Sequence, residues 1–339
     1  MKMNDSFVEF VQDFITIYAK QQRDFSNNTI KSYSYALLDF IKSLKMNNIK
    51  VDSLTISEIR FTDVENFITF LKKKGNSNRT INMKMAVLKS LFSYVETKSL
   101  KNYLICSKIK NIKPLSEESK IPEYFDTTEL NLIFKSASKG THANIKYLSI
   151  LVLLYDCALR ANELCNLKIN DLKLERSNPY LIVKNGKGNK ERIVLISSNV
   201  VPIVKKYLNL VNRNGEEYLF LNRNNNKYTR EGIYYVVQKY WKLAREKNSD
   251  TTLFNISPHP HMLRHSKAVN MIEAGASIID VRDTLGHSSI TTTEIYARIS
   301  TKKKRQILDQ NEKIKPLDIK RNKKEKMNLE SYLRKITQK

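Results

Sequence analysis

Apolar residues in the first hundred positions recur with the period of helices that are buried on one side. Phe7, Phe10 and Phe14 follow the i, i+3, i+7 spacing of one helical face. Three further stretches with this spacing follow polar helix-start signals. They begin after Ser26, at Thr62, where Glu65 completes a capping-box pattern, and near Asn78. We therefore predict an all-α N-terminal domain of four helices over residues 1–110.

The helical period lapses after this domain and returns with a different mixture of elements. Residues 111–123 are polar and contain two prolines, which is typical of a linker. Asp126 with Glu129 forms a capping-box pattern that opens a second domain, predicted over residues 124–310. This domain begins with helical patterns, including a long apolar stretch over 143–158 that predicts a buried helix.

A β signal interrupts the helices of the second domain. The runs YLIVK and RIVLI are rich in β-branched residues, and they flank the turn-rich residues 185–189. This arrangement predicts a β-hairpin. Helical patterns continue after Val200, and the basic tail 311–339 contains a short amphipathic stretch over 327–336. The predicted fold class is mainly α with a small β-sheet.

The charge balance indicates a polyanionic partner. The chain carries a net charge of +25, and the predicted fourth helix has basic residues on its outer face. They are Arg79, Lys84 and Lys89. Double-stranded DNA is the first candidate partner, and a membrane surface is the competing one. The sequence contains no run of about 18 apolar residues that would predict a membrane span, and no signal peptide is evident. Three cysteines without a CxxC pattern favour a reducing, cytoplasmic location.

Candidate chemistry is concentrated in HPHMLRH, residues 259–265, which holds three histidines and one arginine. His261 and His265 have the i, i+4 spacing of a zinc site, but Met262 stands where a metalloprotease has its glutamate, and no third ligand is nearby. We therefore expect neither a metal nor another cofactor. Arg264 lies one helical turn from His261, and an arginine with a histidine favours phosphate binding instead.

Four other residues have ordinary structural explanations when each is taken alone. Arg160 follows a buried run and has Glu163 at i+3 as an ion-pair partner. Lys187 lies between two glycines at the predicted hairpin tip, where a lysine is usually solvated. His287 follows Leu285-Gly286, a predicted helix end, and Tyr296 lies in the next helix.

Together these residues form a far more specific pattern. R-x-x-E-L at 160–164, G-K-G-N-K-E-R at 186–192, H-x-L-R-H at 261–265, L-G-H at 285–287 and Tyr296 occur in this order. The pattern resembles the tyrosine recombinase (phage integrase) family, and within it the Xer-like and transposon-borne integrases. The resemblance covers residues 125–305. The first domain is similar, more weakly, to the SAM-like core-binding domain of that family.

The resemblance implies a catalytic set and an activity. The implied residues are Arg160, Lys187, His261, Arg264, His287 and the nucleophile Tyr296, with Glu163 supporting Arg160 or His261. The arginines would hold the non-bridging oxygens of the scissile phosphate, and the lysine would protonate the leaving 5′-oxygen. The histidines would hydrogen-bond the phosphate or assist proton transfer. The implied enzyme is a site-specific recombinase that exchanges DNA strands through a 3′-phosphotyrosyl intermediate and a Holliday junction.

The resemblance also implies partners and leaves alternatives. A homotetramer on two synapsed sites is expected, with an accessory recombinase or a directionality factor as a further partner. His265 matches a family position that we interpret as packing, and Ala158 stands where the family often has glycine. Integration or excision of a mobile element is the main reading, with Xer-type dimer resolution or topoisomerase-like nicking and closing as alternatives. A DNA-binding factor with a vestigial site is a further rival.

Overall fold

The structure, a computed structural model, divides into two units with the boundary between residues 120 and 121. The described residues are 5–117, 122–138, 142–184, 191–211, 213, 215–248, 250, 253–286 and 289–299. Lys187, His287 and the predicted tail helix lie outside these residues. The structure is mainly helical with one small sheet, so the predicted fold class is confirmed.

The first unit packs its helices around an aromatic core. Phe40 meets Phe7 and Phe67 edge to face, with ring centroids 6.0 and 5.2 Å apart. The α-helices of this unit are α1 Phe7–Asp13, which continues as a π-helix over Phe14–Gln22, α2 Asn27–Met46, α3 Phe61–Lys73, α4 Asn78–Lys98 and α5 Tyr103–Lys110. Helix α5 was not among the four predicted helices.

One of the predicted helix starts in this unit is wrong. Helix α3 begins at Phe61, and the side chain of Asp63 accepts a 2.8 Å hydrogen bond from the Arg60 amide. The predicted Thr62–Glu65 pair therefore does not cap the helix, because Asp63 already binds the free amide at its start. Ser26 caps α2 as predicted, accepting from the amide of Thr29.

Two of the three basic residues predicted on the outer face of α4 are bound within the unit. Lys84 lies 2.6 Å from the carboxylate of the buried Asp39 on α2, and Lys89 donates to the carbonyl of Ile112. The expectation of an exposed basic face is wrong for both, because Lys84 neutralises a buried carboxylate and Lys89 is hydrogen-bonded to a backbone carbonyl. Arg79 is exposed.

The chain after α5 is attached to α4 by asparagine side chains. Asn82 accepts from the amide of Leu115 and donates to its carbonyl, each over 2.8 Å. Asn78 donates to the carbonyl of Ser116, also over 2.8 Å. These side chains satisfy the backbone of a segment that forms no helix or strand, so residues 115 and 116 belong structurally to the first unit.

The second unit is built around one apolar helix. Helix α7 contributes a run of fully buried aliphatic residues, as expected of a helix that is apolar on all sides. The helices of this unit are α6 Thr127–Ser138, α7 His142–Asp156, α8 Ala161–Asn166, α9 Val201–Val211, α10 Arg230–Glu246, α11 Pro260–Glu273, α12 Ile278–Leu285 and α13 Thr291–Ile299. The predicted Asp126–Glu129 capping box is present, with bonds of 2.8 and 3.0 Å.

The predicted hairpin is present and forms two strands of a three-stranded antiparallel sheet. The strands are β1 Leu172–Lys173, β2 Tyr180–Val183 and β3 Arg192–Leu195, in the order β1-β2-β3. Strand β1 has two residues and therefore no pattern that sequence analysis could detect. Val183 pairs with Arg192, so the first residue of β3 is fixed opposite the last of β2.

A small separate core holds helices α11, α12 and α13 of the second unit together. It comprises buried apolar residues of α11, α12 and α13 together with Ala158, which precedes α8. Its members are Ala158, Ala268, Val269, Ile272, Val281, Leu285 and Tyr296. The start of the unit is attached to the same helices, since the amide of Phe125 donates to Ser266 over 2.8 Å. Candidate residues that are distant in sequence are thereby brought together.

The three cysteines are all buried and unpaired. Cys106 lies in the core of the first unit, and Cys157 and Cys165 lie in the core of the second. Burial raises the pKa of each thiol above its ordinary value. Among the described helices, none is long and apolar enough to cross a membrane.

Candidate active site

Glu163 joins two arginines from different elements. It is buried at the start of α8, where its carboxylate accepts from the amide and the guanidinium of Arg160, over 2.8 and 2.7 Å. The same carboxylate accepts two parallel bonds of 2.9 Å from Arg192 on β3. The local ion pair of Arg160 and Glu163 therefore exists, but it is part of a larger network. In this network Arg192 on β3 holds Glu163, which in turn holds the Arg160 side chain.

The network keeps Glu163 ionised. Burial by itself raises the pKa of this carboxyl, but the hydrogen bonds and positive charges of Arg192 and Arg160 outweigh burial and lower the pKa to about 2. Its carboxylate is therefore charged at neutral pH and can orient Arg160.

Arg192 is a site residue that sequence analysis did not single out. It occupies the last position of the G-K-G-N-K-E-R run and lies inside the second unit against Gly286, at the end of α12. A Cβ atom added at Gly286 would come within 2.7 Å of the Cδ of Arg192. Arg192 therefore connects the hairpin, Glu163 and the residue that precedes His287.

Arg264 is held by backbone oxygens. Its guanidinium donates to the carbonyl of Ala158 over 2.6 Å and to the carbonyl of Leu285 over 2.5 Å. Leu285 ends α12, where helix carbonyls lack partners within the helix and carry partial negative charge. The side chain is only 2% exposed. Burial and the charge of Arg160 lower the pKa of Arg264, and a guanidinium stays protonated at neutral pH.

The turn that presents Arg160 has an unusual backbone. Ala158 has φ of +47°, in the left-handed region that favours glycine. Ala158 lies two residues before Arg160, and this conformation directs its carbonyl to Arg264. The turn thus positions both arginines, and the alanine keeps the backbone conformation that glycine adopts more easily.

His261 lies at the exposed start of α11. His259 is the residue before the helix, and Pro260 occupies its first position. The ring of His261 lies 6.2 Å from that of His265 and 6.3 Å from that of His259. Desolvation, followed by the charges of Arg264 and His259, lowers the pKa of His261. Its imidazole is therefore mostly neutral at pH 7.

Tyr296 contacts the second histidine of the H-x-L-R-H motif. It is 2% exposed, on α13, and its hydroxyl oxygen lies 2.6 Å from Nδ1 of His265. His265, which was expected to serve packing, therefore also makes a hydrogen-bond contact with α13. Burial raises the pKa of Tyr296, and the charge of Arg264 opposes this effect.

The structure brings five of the seven predicted residues into the second unit around α8, α11 and α13. They are Arg160, Glu163, His261, Arg264 and Tyr296. Arg264 interacts electrostatically with Arg160, Glu163 and Tyr296, so these charges belong to one cluster. Lys187 and His287 lie outside the described residues. Among the described residues, no three His, Cys, Asp or Glu side chains are grouped as metal ligands would be. The cluster is suited to binding a phosphodiester.

Two family models match the chain. Residues 123–303 match the phage integrase family, and residues 12–98 match the phage integrase N-terminal SAM-like domain. Tyrosine recombinase XerA of Pyrococcus horikoshii is 30% identical over 315 residues, which cover 91% of this chain and 96% of XerA. Tyrosine recombinase XerC of Staphylococcus carnosus is 28% identical over 300 residues, with coverage of 88% and 95%.

The fold is also similar to that of a solved transposon integrase. The Tn1549 integrase in complex with transposon right-end DNA has a TM-score of 0.66 and 18% identity, with coverage of 88% of this chain and 98% of that one. The resemblance seen in the sequence motifs is thus confirmed over both units. The chain belongs to the phage integrase family, and it is a tyrosine recombinase, an enzyme of site-specific DNA strand exchange.

Proposed function

We propose that this recombinase integrates and excises a mobile element, with Tyr296 as the nucleophile. The observation that carries the proposal is the cluster of Arg160, Arg264 and Tyr296 in the second unit. The hydroxyl of Tyr296 attacks the scissile phosphate and forms a 3′-phosphotyrosyl bond, which releases a 5′-hydroxyl. The hydroxyl of a partner strand then reverses the step, and two such exchanges pass through a Holliday junction.

The two arginines stabilise the charge that develops on the phosphate. Attack on a phosphodiester places negative charge on its non-bridging oxygens, and fixed guanidinium donors lower the energy of that state. Arg264 is held by the carbonyls of Ala158 and Leu285, and Arg160 is held by Glu163. Neither side chain has to be ordered when DNA binds, which favours the transition state over the ground state.

Proton transfer completes the proposed chemistry. The leaving 5′-oxygen needs a proton, and Lys187 supplies it from the hairpin that β2 and β3 form. His261 and His287 hydrogen-bond the phosphate or assist this transfer. Lys187→Ala should slow cleavage of ordinary DNA by roughly 10²–10⁴-fold. A 5′-bridging phosphorothiolate, which has a better leaving group, should restore most of the rate to the variant. Equal defects on both substrates would contradict this role.

The proposed assembly is a homotetramer on two synapsed DNA sites. The net charge of +25 supports binding to duplex DNA. The three buried thiols fit a reducing compartment, so we place the enzyme in the cytoplasm. An accessory recombinase or a directionality factor is a further partner. Separate control of integration and excision would require it.

Xer-type dimer resolution is the second candidate function. The 30% identity to XerA over nearly the whole chain favours it. The two functions differ in their DNA. Joined ends of the genomic element that carries the gene should recombine if the enzyme serves that element. Recombination only at a chromosomal site outside the element would favour dimer resolution.

The test of the nucleophile is a nicked suicide substrate made from the genomic flanks of the gene. The wild-type protein should become covalently attached to a 3′-phosphate, and Tyr296→Phe should form no adduct while it retains DNA binding. EDTA should not inhibit, because the guanidinium groups supply the positive charge. An adduct with the Phe variant would show that another residue attacks. Efficient relaxation of a plasmid without these flanks would instead favour a topoisomerase.

A further inference from the structure

The contact between Tyr296 and His265 joins the proposed nucleophile to an imidazole. The hydroxyl oxygen and Nδ1 are 2.6 Å apart, and the ring centroids are 5.7 Å apart with 42° between the planes. The contact spans α11 and α13, which pack against each other through the small core of the second unit. This distance is that of a short, well-formed hydrogen bond.

A proton has to leave Tyr296 when its oxygen attacks phosphorus. The ordinary pKa of a phenol is about 10, and burial raises the pKa of Tyr296 further. A buried phenol therefore needs an acceptor within hydrogen-bond reach, and an imidazole with an ordinary pKa near 6.5 is a suitable one. His265 meets the geometric condition before any DNA is bound.

The two neighbouring histidines, His259 and His261, have different positions. His261 is exposed at the start of α11, and its ring lies one helical turn from that of His265. That location suits contact with a DNA phosphate. His259 precedes the helix and lies beyond His261. Among the described residues, the imidazole in hydrogen-bond contact with Tyr296 is that of His265.

We propose that His265 is the general base for Tyr296. This inference rests on the proposed function, in which Tyr296 is the nucleophile. In cleavage, the phenolic proton moves to Nδ1 of His265, the Tyr296 oxygen bonds to phosphorus, and the bond from phosphorus to the 5′-oxygen breaks as that oxygen takes a proton from Lys187. In ligation, the 5′-hydroxyl bonds to phosphorus and gives its proton back to Lys187. The bond between phosphorus and Tyr296 breaks, and His265 returns its proton to the phenol oxygen.

Two other roles would produce the same contact. The hydrogen bond could only satisfy a buried hydroxyl and hold the ring in place, which is a structural role. It could also hold Tyr296 away from the DNA, in which case its loss would accelerate cleavage. The three roles differ in how the rate responds to a more acidic phenol.

The test combines His265 variants with a fluorinated tyrosine at position 296, incorporated in place of Tyr296. Single-turnover cleavage of the suicide substrate is measured at saturating protein. His265→Ala and His265→Asn should each lose about 10²–10⁴-fold in rate. The fluorinated tyrosine, whose phenol is more acidic, should restore at least tenfold in each variant and change the wild-type rate little.

His265→Asn separates the base from a structural role, because asparagine keeps a polar group toward the hydroxyl but accepts no proton. A nearly wild-type rate in the Asn variant, or no gain from fluorination in either variant, would overturn the proposal. Faster cleavage by either variant would also overturn it and indicate a restraining role. If the Ala variant does not fold, the Asn variant carries the same comparison.

His259→Ala is the matched control, since it removes a neighbouring imidazole that does not contact Tyr296. It should cleave at the wild-type rate. The Tyr296→Phe adduct assay separates failure of the proposed function from failure of the role of His265. An adduct that persists in Tyr296→Phe contradicts the proposed function itself, whereas a normal adduct at Tyr296 with unaffected His265 variants contradicts only the role of His265.

Discussion

At the scale of single residues, the site depends on close approach between side chain and backbone. Gly286 ends α12 with φ of +61°, and Arg192 occupies the space where a Cβ would lie. Gly275 also has a positive φ, of +98°, but an added Cβ would meet nothing within 4 Å. Substitutions at the two glycines can therefore be compared to separate the effect of backbone strain from the effect of contact with Arg192.

We predict that Gly286→Ala and Gly275→Ala each lower the free energy of unfolding of the second unit by about 1–2 kcal/mol, because both impose left-handed strain. Only Gly286→Ala should also slow DNA cleavage, since it displaces Arg192 from Glu163. Unfolding in urea can be followed by the fluorescence of Trp241, the single tryptophan, which lies in this unit. Equal cleavage by both variants would contradict a role of Arg192 in the site.

Glu163 predicts a pH dependence of stability. Its folded pKa of about 2 is below the ordinary 4.5, so its contribution is fully present above pH 4.5 and is lost as the pH falls toward 2. The shift corresponds to about 3 kcal/mol. At pH 6 the free energy of unfolding of Glu163→Gln should be lower than that of the wild type by about 3 kcal/mol. The difference should shrink as the pH falls below 4. A difference that does not change with pH would show that packing, not charge, is responsible.

At the scale of elements, the helices were predictable where local signals were sufficient. The Asp126–Glu129 box, the Ser26 cap and the hairpin strands are encoded by residues close in sequence. The start of α3 was missed because Asp63 caps the amide of Arg60, a residue that is not a typical helix cap.

The site was predictable only in part for the same reason. The motif order identifies Arg160, Arg264 and Tyr296, but the roles of Arg192 and His265 depend on partners 29 and 31 positions away. The ion pair of Arg192 and Glu163 joins β3 to α8, and α11 packs against α13. No local pattern in the sequence specifies these contacts.

Helix α4 gives a prediction about its basic residues. Asp39 is buried and pairs with both Lys74 and Lys84, over 2.8 and 2.6 Å. Lys84→Met should destabilise the first unit by about 1–3 kcal/mol, because it removes a partner of a buried carboxylate while Lys74 remains. Thermal unfolding monitored by circular dichroism measures this effect.

Arg79→Ala is the matched control on the same helix, since Arg79 is exposed. It should leave unfolding unchanged. If Arg79 contacts a phosphate, the slope of DNA affinity against salt concentration should fall by roughly one unit. If Lys84→Met lowered the slope of DNA affinity against salt concentration without changing stability, Lys84 would be available to DNA after all.

At the scale of the whole molecule, two roles can be compared for the C-terminal tail, a docking helix and an electrostatic arm. Residues 301–339 hold 14 basic and 5 acidic residues, and the segment 327–336 has apolar residues at helical spacing. Apolar spacing exceeds what a purely electrostatic arm requires. We therefore propose that this segment docks on a neighbouring protomer.

Deletion of residues 322–339 should leave binding to a single DNA site nearly intact and reduce tetramers on paired sites, as measured by analytical ultracentrifugation. The control is the full-length triple variant Leu329→Ser, Leu333→Ser and Ile336→Ser, which keeps every charge. It should show the same loss of tetramers. Normal tetramers in both proteins would contradict docking, and a defect confined to the deletion that high salt abolishes would support the electrostatic arm.

The buried cysteines make the two units separately observable. A thiol reagent reacts only after local opening exposes the sulfur, and Cys106 reports opening of the first unit while Cys157 and Cys165 report opening of the second. Mass spectrometry can distinguish the three labelled peptides in one experiment. The unmodified enzyme therefore carries its own probes of whether DNA stabilises both units together or one before the other.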